Sequence, residues 1–176
     1  MVLAVLGLNH KTVAVDIREQ FAISEESAGD GLHHLKDQEA IREAVILSTC
    51  NRTEIYAVLR DEKAKQDLYK FFLTLSGNSD AKEEYFFYYT GKECIRHLFE
   101  VVSGLDSMVI GESQILNQIK TAYTLALSEK ATRTILNTLF HRAIRTGKRV
   151  RTETQISTSA VSVSYAAVKL AEKILG

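Results

Sequence analysis

The chain has 176 residues, 45% of them hydrophobic and 25% charged, with a formal net charge of zero. That is the composition of an ordinary folded domain, and its bulk charge speaks neither for nor against a nucleic-acid partner. Two cysteines, Cys50 and Cys94, are too few for a disulfide framework and form no CxxC pair for a closed zinc site. No apolar run is long enough to span a bilayer, and Met1–Lys11 lacks the basic start and cleavage site of a signal peptide. A reducing cytoplasm, where a lone thiol stays free, is the expected location.

Val2–Leu8 is an apolar run ending at a Gly7-Leu8-Asn9-His10 turn, which reads as a buried strand. Ser24 followed by Glu25 and Glu26 reads as a helix start, with the helix running to about residue 37. Ala44–Thr49 reads as a second strand and Thr53–Leu59 as a third. The short Asn51-Arg52 connection makes the two a hairpin. Asp61–Ser76 reads as a helix with Leu68, Phe71, Phe72 and Leu75 on its apolar face. The aromatic run Tyr85–Tyr89 predicts a fourth strand.

Beyond residue 90 nearly everything reads as helix. Thr90 and Glu93 form a capping-box pattern, followed by Ile95, Leu98, Phe99 and Val102 at helical spacing. Ile115, Ile119 and Ala122 mark a second helix. Leu136, Phe140, Ala143, Gly147 and Val150 mark a third, and Val161, Tyr165, Val168, Ala171 and Leu175 a last one. The order predicts an α+β fold: a small sheet lobe with flanking helices over about 1–105, then a helical extension over about 106–152. Residues 153–176 read as a linker helix.

Cys50 is the most informative residue. It stands where the strand Val45–Thr49 stops and hydrogen-bonding side chains begin. A structural cysteine usually lies inside the apolar run. Arg52, two residues on, is a cation of the kind that favours thiolate, and its planar fork suits a carboxylate. A thiolate there can attack an ester, giving a thioester and an alcohol. Cys94 reads as core. His97 by position alone reads as a half-exposed helical histidine, and alternatively as a general acid or polarising group beside Cys50. The stretch Ser103–Gln114, bracketed by Gly104 and Gly111, reads either as a capped helix connection or as a substrate loop. In the second reading Ser107, Glu112, Gln114 and Gln118 face a polar ligand.

Charge is unevenly spread. Residues 131–152 hold six Arg/Lys and no acid, residues 153–176 balance, and residues 1–130 carry the offsetting −6. Arg142, Arg145 and Arg149 fall on one stripe, which is a solvated helix face or a footprint for phosphates. There is no GxGxxG and no P-loop.

Four segments together resemble the glutamyl-tRNA reductase family. They are Gly7–Thr12, Ser48–Glu54, Ser103–Glu112 running on to Leu116, and Lys148–Thr154 followed by Ser159–Val163. The resemblance implies that Cys50 attacks the ester of glutamyl-tRNA, and that NADPH reduces the thioester to glutamate-1-semialdehyde in the first step of five-carbon tetrapyrrole (porphyrin) biosynthesis. It implies that Arg52 holds the glutamate carboxylate with Thr49 and Asn51, and that Ser107, Glu112, Ser113, Gln114 and Gln118 line the substrate pocket. His97 matches a histidine tied to activity, and no metal is implied. Family members usually carry proline after the first segment and before Gln114, where Val13-Ala14 and Ser113 stand here. They also continue into an NADPH-binding domain and a dimerisation domain, and the aminotransferase that consumes the semialdehyde is an implied partner. The expectation is a catalytic domain that lacks the NADPH site and acts at most as an esterase. A non-catalytic tRNA-binding module is the alternative, and a generic Cys–His hydrolase a third reading.

Overall fold

A computed structural model describes residues 1–35, 39–78, 81–112, 114–154, 156, 168 and 170–174. The strands are β1 (Val2–Asn9), β2 (Ile41–Ser48), β3 (Arg52–Leu59) and β4 (Phe87–Thr90). The helices are α1 (Val15–Gln20), α2 (Glu25–His34), α3 (Lys65–Ser76), α4 (Gly91–Val102), α5 (Gln114–Ser128) and α6 (Thr134–Glu153). The strands form a four-stranded antiparallel sheet in the order β2-β3-β1-β4. With α1 and α2 between β1 and β2, and α3 between β3 and β4, this is the split βαβ connectivity with one added short helix. The expected α+β class is the observed one.

Every residue of β3, and β1 from Ala4 onward, is buried. A strand covered on both faces cannot show the usual alternation of apolar and polar residues. The pairing register gives the sheet two unlike faces. Asn9 faces Arg52, Gly7 faces Glu54 and Phe87, and Val5 faces Tyr56 and Tyr89. These share one face, under α4 and α6, where the Tyr56 ring meets His97 at 6.4 Å and Phe140 at 5.5 Å. The crossover helices α2 and α3 cover the other face, where Phe21 and Phe72 close edge-on around Phe86.

Local signals set most of the boundaries. Ser24 caps α2 as expected, accepting from the Ser27 N–H at 3.0 Å. Thr90 stands at the N-cap of α4 but makes no side-chain cap bond, so the capping-box pattern is not used as one. The buried face of α4 is also turned by about a residue from the expected one. Cys94, His97, Leu98, Val101 and Val102 point inward, and Ile95 is 40% exposed. The fourth strand starts later than expected, because Glu83–Tyr85 forms a 3-10 turn ahead of it.

The N-terminus of α6 has no cap of its own. Buried Glu43 of β2 supplies one, accepting from the N–H groups of Arg133 at 2.8 Å, Ile135 at 3.3 Å and Leu136 at 2.9 Å. A carboxylate at that position satisfies orphan donors and meets the positive end of the helix dipole. Both α5 and α6 lie against the sheet, α5 on β2 and α6 on β2 and β3. Of the expected last helix, residues 168 and 170–174 are helical, and the rest lies outside the described residues. Among the described residues no helix is long and apolar enough to cross a membrane.

Candidate active site

The β2–β3 connection is a tight turn held by Thr49. Its Oγ1 accepts from the N–H groups of Asn51 and Arg52, both at 3.2 Å, while its own N–H donates to the Arg52 carbonyl at 2.8 Å. This local hydroxyl-to-backbone pattern is the usual way a threonine closes a turn. It leaves the Cys50 thiol exposed at the tip. The turn is pinned to the end of β1, where the His10 N–H donates to the Asn51 carbonyl at 3.1 Å. Arg18 reaches over from α1, its Nε donating to the Cys50 carbonyl at 3.3 Å.

Arg52 turns the other way. As the first residue of β3 its side chain enters the covered face of the sheet and is 1% exposed. Its Nη1 donates to Glu54 at 2.8 Å and to the Asp106 carboxylate at 2.9 Å, and its Nη2 donates to the Asp106 carbonyl. Its Nε is buried without a partner. The guanidinium expected beside the thiol is thus engaged by two carboxylates, and the cation that bonds the Cys50 segment is Arg18.

Glu54 is the centre of the network. It is fully buried and accepts from Arg52, from Tyr56 Oη at 2.6 Å and from His97 Nε2 at 3.0 Å. Burial pushes its carboxyl up, but the Arg52 charge and the bonds from His97 and Tyr56 outweigh it and hold Glu54 below its ordinary value. An ionised Glu54 can only accept, which puts a proton on Nε2 of His97. Asp106 behaves likewise: burial raises its pKa, and hydrogen bonds from Lys11 and Arg52 bring it below the ordinary range. Tyr56, buried against Glu54, is pushed well above its ordinary value.

Asp106 comes from the loop between α4 and α5. The two bracketing glycines meet at its neck, where the Gly111 N–H donates to the Gly104 carbonyl at 3.0 Å. Both have positive φ, and a Cβ on Gly104 would lie 3.2 Å from Gly111. Only glycine suits that neck. Lys11 Nζ bonds the second Asp106 oxygen, and Arg151 Nη2 of α6 donates to the Glu112 carbonyl at 3.1 Å. The end of β1, the thiol turn, the 103–112 loop and the end of α6 therefore converge on one end of the sheet.

A cavity of about 240 Å³ opens there, lined among others by Asn9, Lys11, Tyr89, Arg96, His97 and Asp106. It is smaller than drug-sized ligand sites of roughly 300–1,000 Å³ and suits an amino-acid-sized group. His97 is 7% exposed, so it is neither half-exposed nor isolated. Gln118 lines a different cavity, of about 280 Å³, with Ser24, Ser48 and Asn117. Ser107 and Glu112 are half-buried in the loop and Gln114 is exposed at the start of α5. Ser113 lies outside the described residues. Cys94 is in the core, its thiol pushed up to about 12 by burial and then by Glu54. Among the described residues no group of three His, Cys, Asp or Glu side chains could hold a metal ion.

Sequence reasoning missed Glu54, Asp106, Lys11 and Tyr56. Glu54 and Tyr56 alternate with Ile55 and Ala57, a pattern that ordinarily marks a solvent face. A second signal was available in retrospect: Glu43, Arg52 and Glu54 all stand within or beside apolar strand segments. His10, half-buried at the end of β1, stands beside this network. Burial, then the Arg52 charge, lowers its pKa, and its Nδ1 is buried without a partner.

Fold and site define an α+β domain with an accessible thiol on the turn that leads into a buried carboxylate–guanidinium network. A profile of the family described as "Glutamyl-tRNAGlu reductase, N-terminal domain" matches residues 6–154. The glutamyl-tRNA reductase of Trichlorobacter lovleyi is 49% identical over all of this chain, which covers 41% of that protein. That of Heliobacterium mobile is 46% identical, again over the whole chain and 40% of the relative. Among solved structures, the glutamyl-tRNA reductase from Methanopyrus kandleri superposes with a TM-score of 0.75 at 36% identity, over 97% of this chain and 39% of the other. The chain belongs to the glutamyl-tRNA reductase family, and the match falls on that family's N-terminal domain. It spans about two fifths of the length of these relatives.

Proposed function

We propose that this chain performs the acyl-transfer half of glutamyl-tRNA reduction. The Cys50 thiolate attacks the ester carbonyl of the glutamyl group. A C–S bond forms, the ester C–O bond breaks, and the ribose hydroxyl of the tRNA leaves with a proton. The observation that carries the reading is an exposed thiol on the turn whose next residue but one, Arg52, enters a network that shares His97 and Asp106 with a charged, amino-acid-sized cavity. His97 is the group we assign to polarise the carbonyl or protonate the leaving hydroxyl; because its Nε2–H is held by Glu54, either role requires a second proton, on Nδ1. Thr49, Asn51, Ser107, Glu112, Ser113, Gln114 and Gln118 are the proposed contacts to the rest of the substrate.

Arg52 is the proposed holder of the substrate's side-chain carboxylate. Three of its five N–H groups are engaged and its Nε–H has no partner, so the Nε edge of the guanidinium is the one left for a carboxylate. Arg52 is 1% exposed, so that role requires the groups covering it to open on binding.

The reduction of the thioester would draw on NADPH. The described residues do not fit that cofactor: the sheet is antiparallel throughout, with no strand, glycine-rich turn and helix of the dinucleotide-binding kind. We therefore assign reduction, dimerisation and any hand-over to an aminotransferase to the whole protein, and place its work in tetrapyrrole biosynthesis in the cytoplasm. The chain by itself should be acylated and release glutamate slowly by hydrolysis. Incubation with tRNA carrying labelled glutamate tests this: label retained on the wild type and absent from Cys50→Ser supports it, and label on neither rejects it. A tRNA-binding module without chemistry is the second reading, favoured by the basic face of α6. It predicts binding without any Cys50-dependent deacylation.

A further inference from the structure

A concentration of positive charge lies in a groove between α5 and α6, outside the thiol site. Lys120, Tyr123 and Thr124 of α5 and His141, Arg142, Arg145 and Lys148 of α6 line an open cavity of about 640 Å³. No acidic side chain lines it. Arg142, Arg145 and Lys148 are exposed, and among the described residues none of them has an ion-pair or hydrogen-bond partner through its side chain. Lys120 has only a neutral partner, Asn117, at 3.4 Å. Arg149, which shares the stripe in the sequence, is different: its guanidinium makes two bonds of 2.9 Å to Glu153. The structure thus separates cations free to meet a ligand from one already neutralised.

The groove also has a direction. From His141 to Lys148 the helix rises about 10 Å, a length that spans roughly three phosphates on one strand of a duplex. About one turn further along α6, Arg151 holds the Glu112 carbonyl of the loop that carries Asp106. A polyanion lying along α6 is therefore led to the loop at the rim of the thiol site.

We infer that the α5–α6 groove binds the sugar–phosphate backbone of RNA, through Lys120, Arg142, Arg145 and Lys148, and leads its acylated end toward the 103–112 loop. The inference rests on the acyl-transfer reading for the identity of the RNA. The contacts are to phosphate, so they give affinity and direction without reading sequence. The underside of α6 is apolar and packed through Leu136, Phe140 and Ala143, so changes to its outer face leave the fold intact.

The test is fluorescence anisotropy of unacylated tRNA-Glu against this chain across a salt series, with thermal melting to check folding. Arg142→Gln, Arg145→Gln and Lys148→Gln together should weaken binding on the order of a hundredfold near physiological salt and reduce the salt slope by about two to three. Arg142→Lys with Arg145→Lys should keep the slope, because the charge remains. Arg149→Gln with Glu153→Gln should leave affinity within about twofold, since an exposed pair of opposite charges is removed. An unchanged affinity and slope in the triple variant overturns the inference. So does loss of binding to anionic lipid vesicles with none to RNA. The two readings fail separately. Labelled Cys50 with no groove dependence rejects the groove alone, whereas groove-dependent tRNA binding with no label on Cys50 rejects the acyl transfer alone.

Discussion

The face of the sheet under α2 and α3 closes around Phe21, Phe72 and Phe86, while the face under α4 and α6 buries Arg52, Glu54 and Asp106 at one end. The first draws on area removed from water and is indifferent to pH. The second buries ions, which is costly unless each is paired and hydrogen-bonded. The buried ions lie at the end of the sheet that also carries the exposed thiol turn and the cavity lined by His97 and Asp106.

The comparison can be broken at several points. The largest effect is expected at the rim. Cys50→Ser should lower acylation from labelled glutamyl-tRNA by roughly a thousandfold or more and leave the melting temperature unchanged, because the thiol is exposed. Next, Arg52→Met should cost about 3–5 kcal/mol in urea unfolding, since it leaves buried Glu54 without its cation. Phe72→Ala on the other face should cost about as much, 3–5 kcal/mol, through the cavity it opens.

The two losses separate by pH. In the wild type Glu54 and Asp106 lie below their ordinary values of 4.5 and 3.8, so their contribution is complete above those values and is lost as pH falls through the lower folded ones. In Arg52→Met, Glu54 loses the largest of the influences that lower it while His97 and Tyr56 still oppose burial, so its carboxyl moves up from the wild-type position. The variant therefore has less carboxylate stability to lose on acidification, and its deficit against the wild type should shrink as pH falls through the carboxylate range, whereas that of Phe72→Ala should not. Equal pH dependence in the two variants would remove the distinction between the faces.

Smaller effects sharpen it. Tyr56→Phe removes the 2.6 Å bond to Glu54 and should cost about 1.5–3 kcal/mol. Gly7→Ala would place a Cβ 2.8 Å from Glu54 Cγ and 2.8 Å from the Thr53 carbonyl oxygen. It should cost about 1–3 kcal/mol by overpacking and, unlike Phe72→Ala, shift the low-pH limb of the stability profile.

Much of the fold was legible. Ser24 announced α2, the aromatic and β-branched runs announced the strands, and the short Asn51-Arg52 link announced the hairpin. These are local signals, and nothing in the tertiary packing overrode them. The Thr90–Glu93 pattern failed because a capping box is realised only when the side chains have no better place. Here Glu93 lines the cavity near His97. The α4 face was misjudged by about a residue because Cys94 and His97, neither a strong hydrophobe, take inward positions that the pattern gave to Ile95 and Phe99.

Cys50 was found because its position at a strand end is a local fact. The network behind it was not, because Arg52, Glu54, Lys11 and Asp106 meet only when two strands pair and a loop from beyond α4 folds onto their ends. Sequence alone determined the α+β class, the exposed turn that carries the thiol and the unequal spread of charge, all of which depend on neighbours along the chain. Tertiary structure decided which way Arg52 points, which carboxylates hold it, and which arginines of α6 stay free. Those outcomes depend on burial and on partners far apart in sequence: a charge inside a covered sheet must be paired, and the partner is whichever group the fold brings within reach.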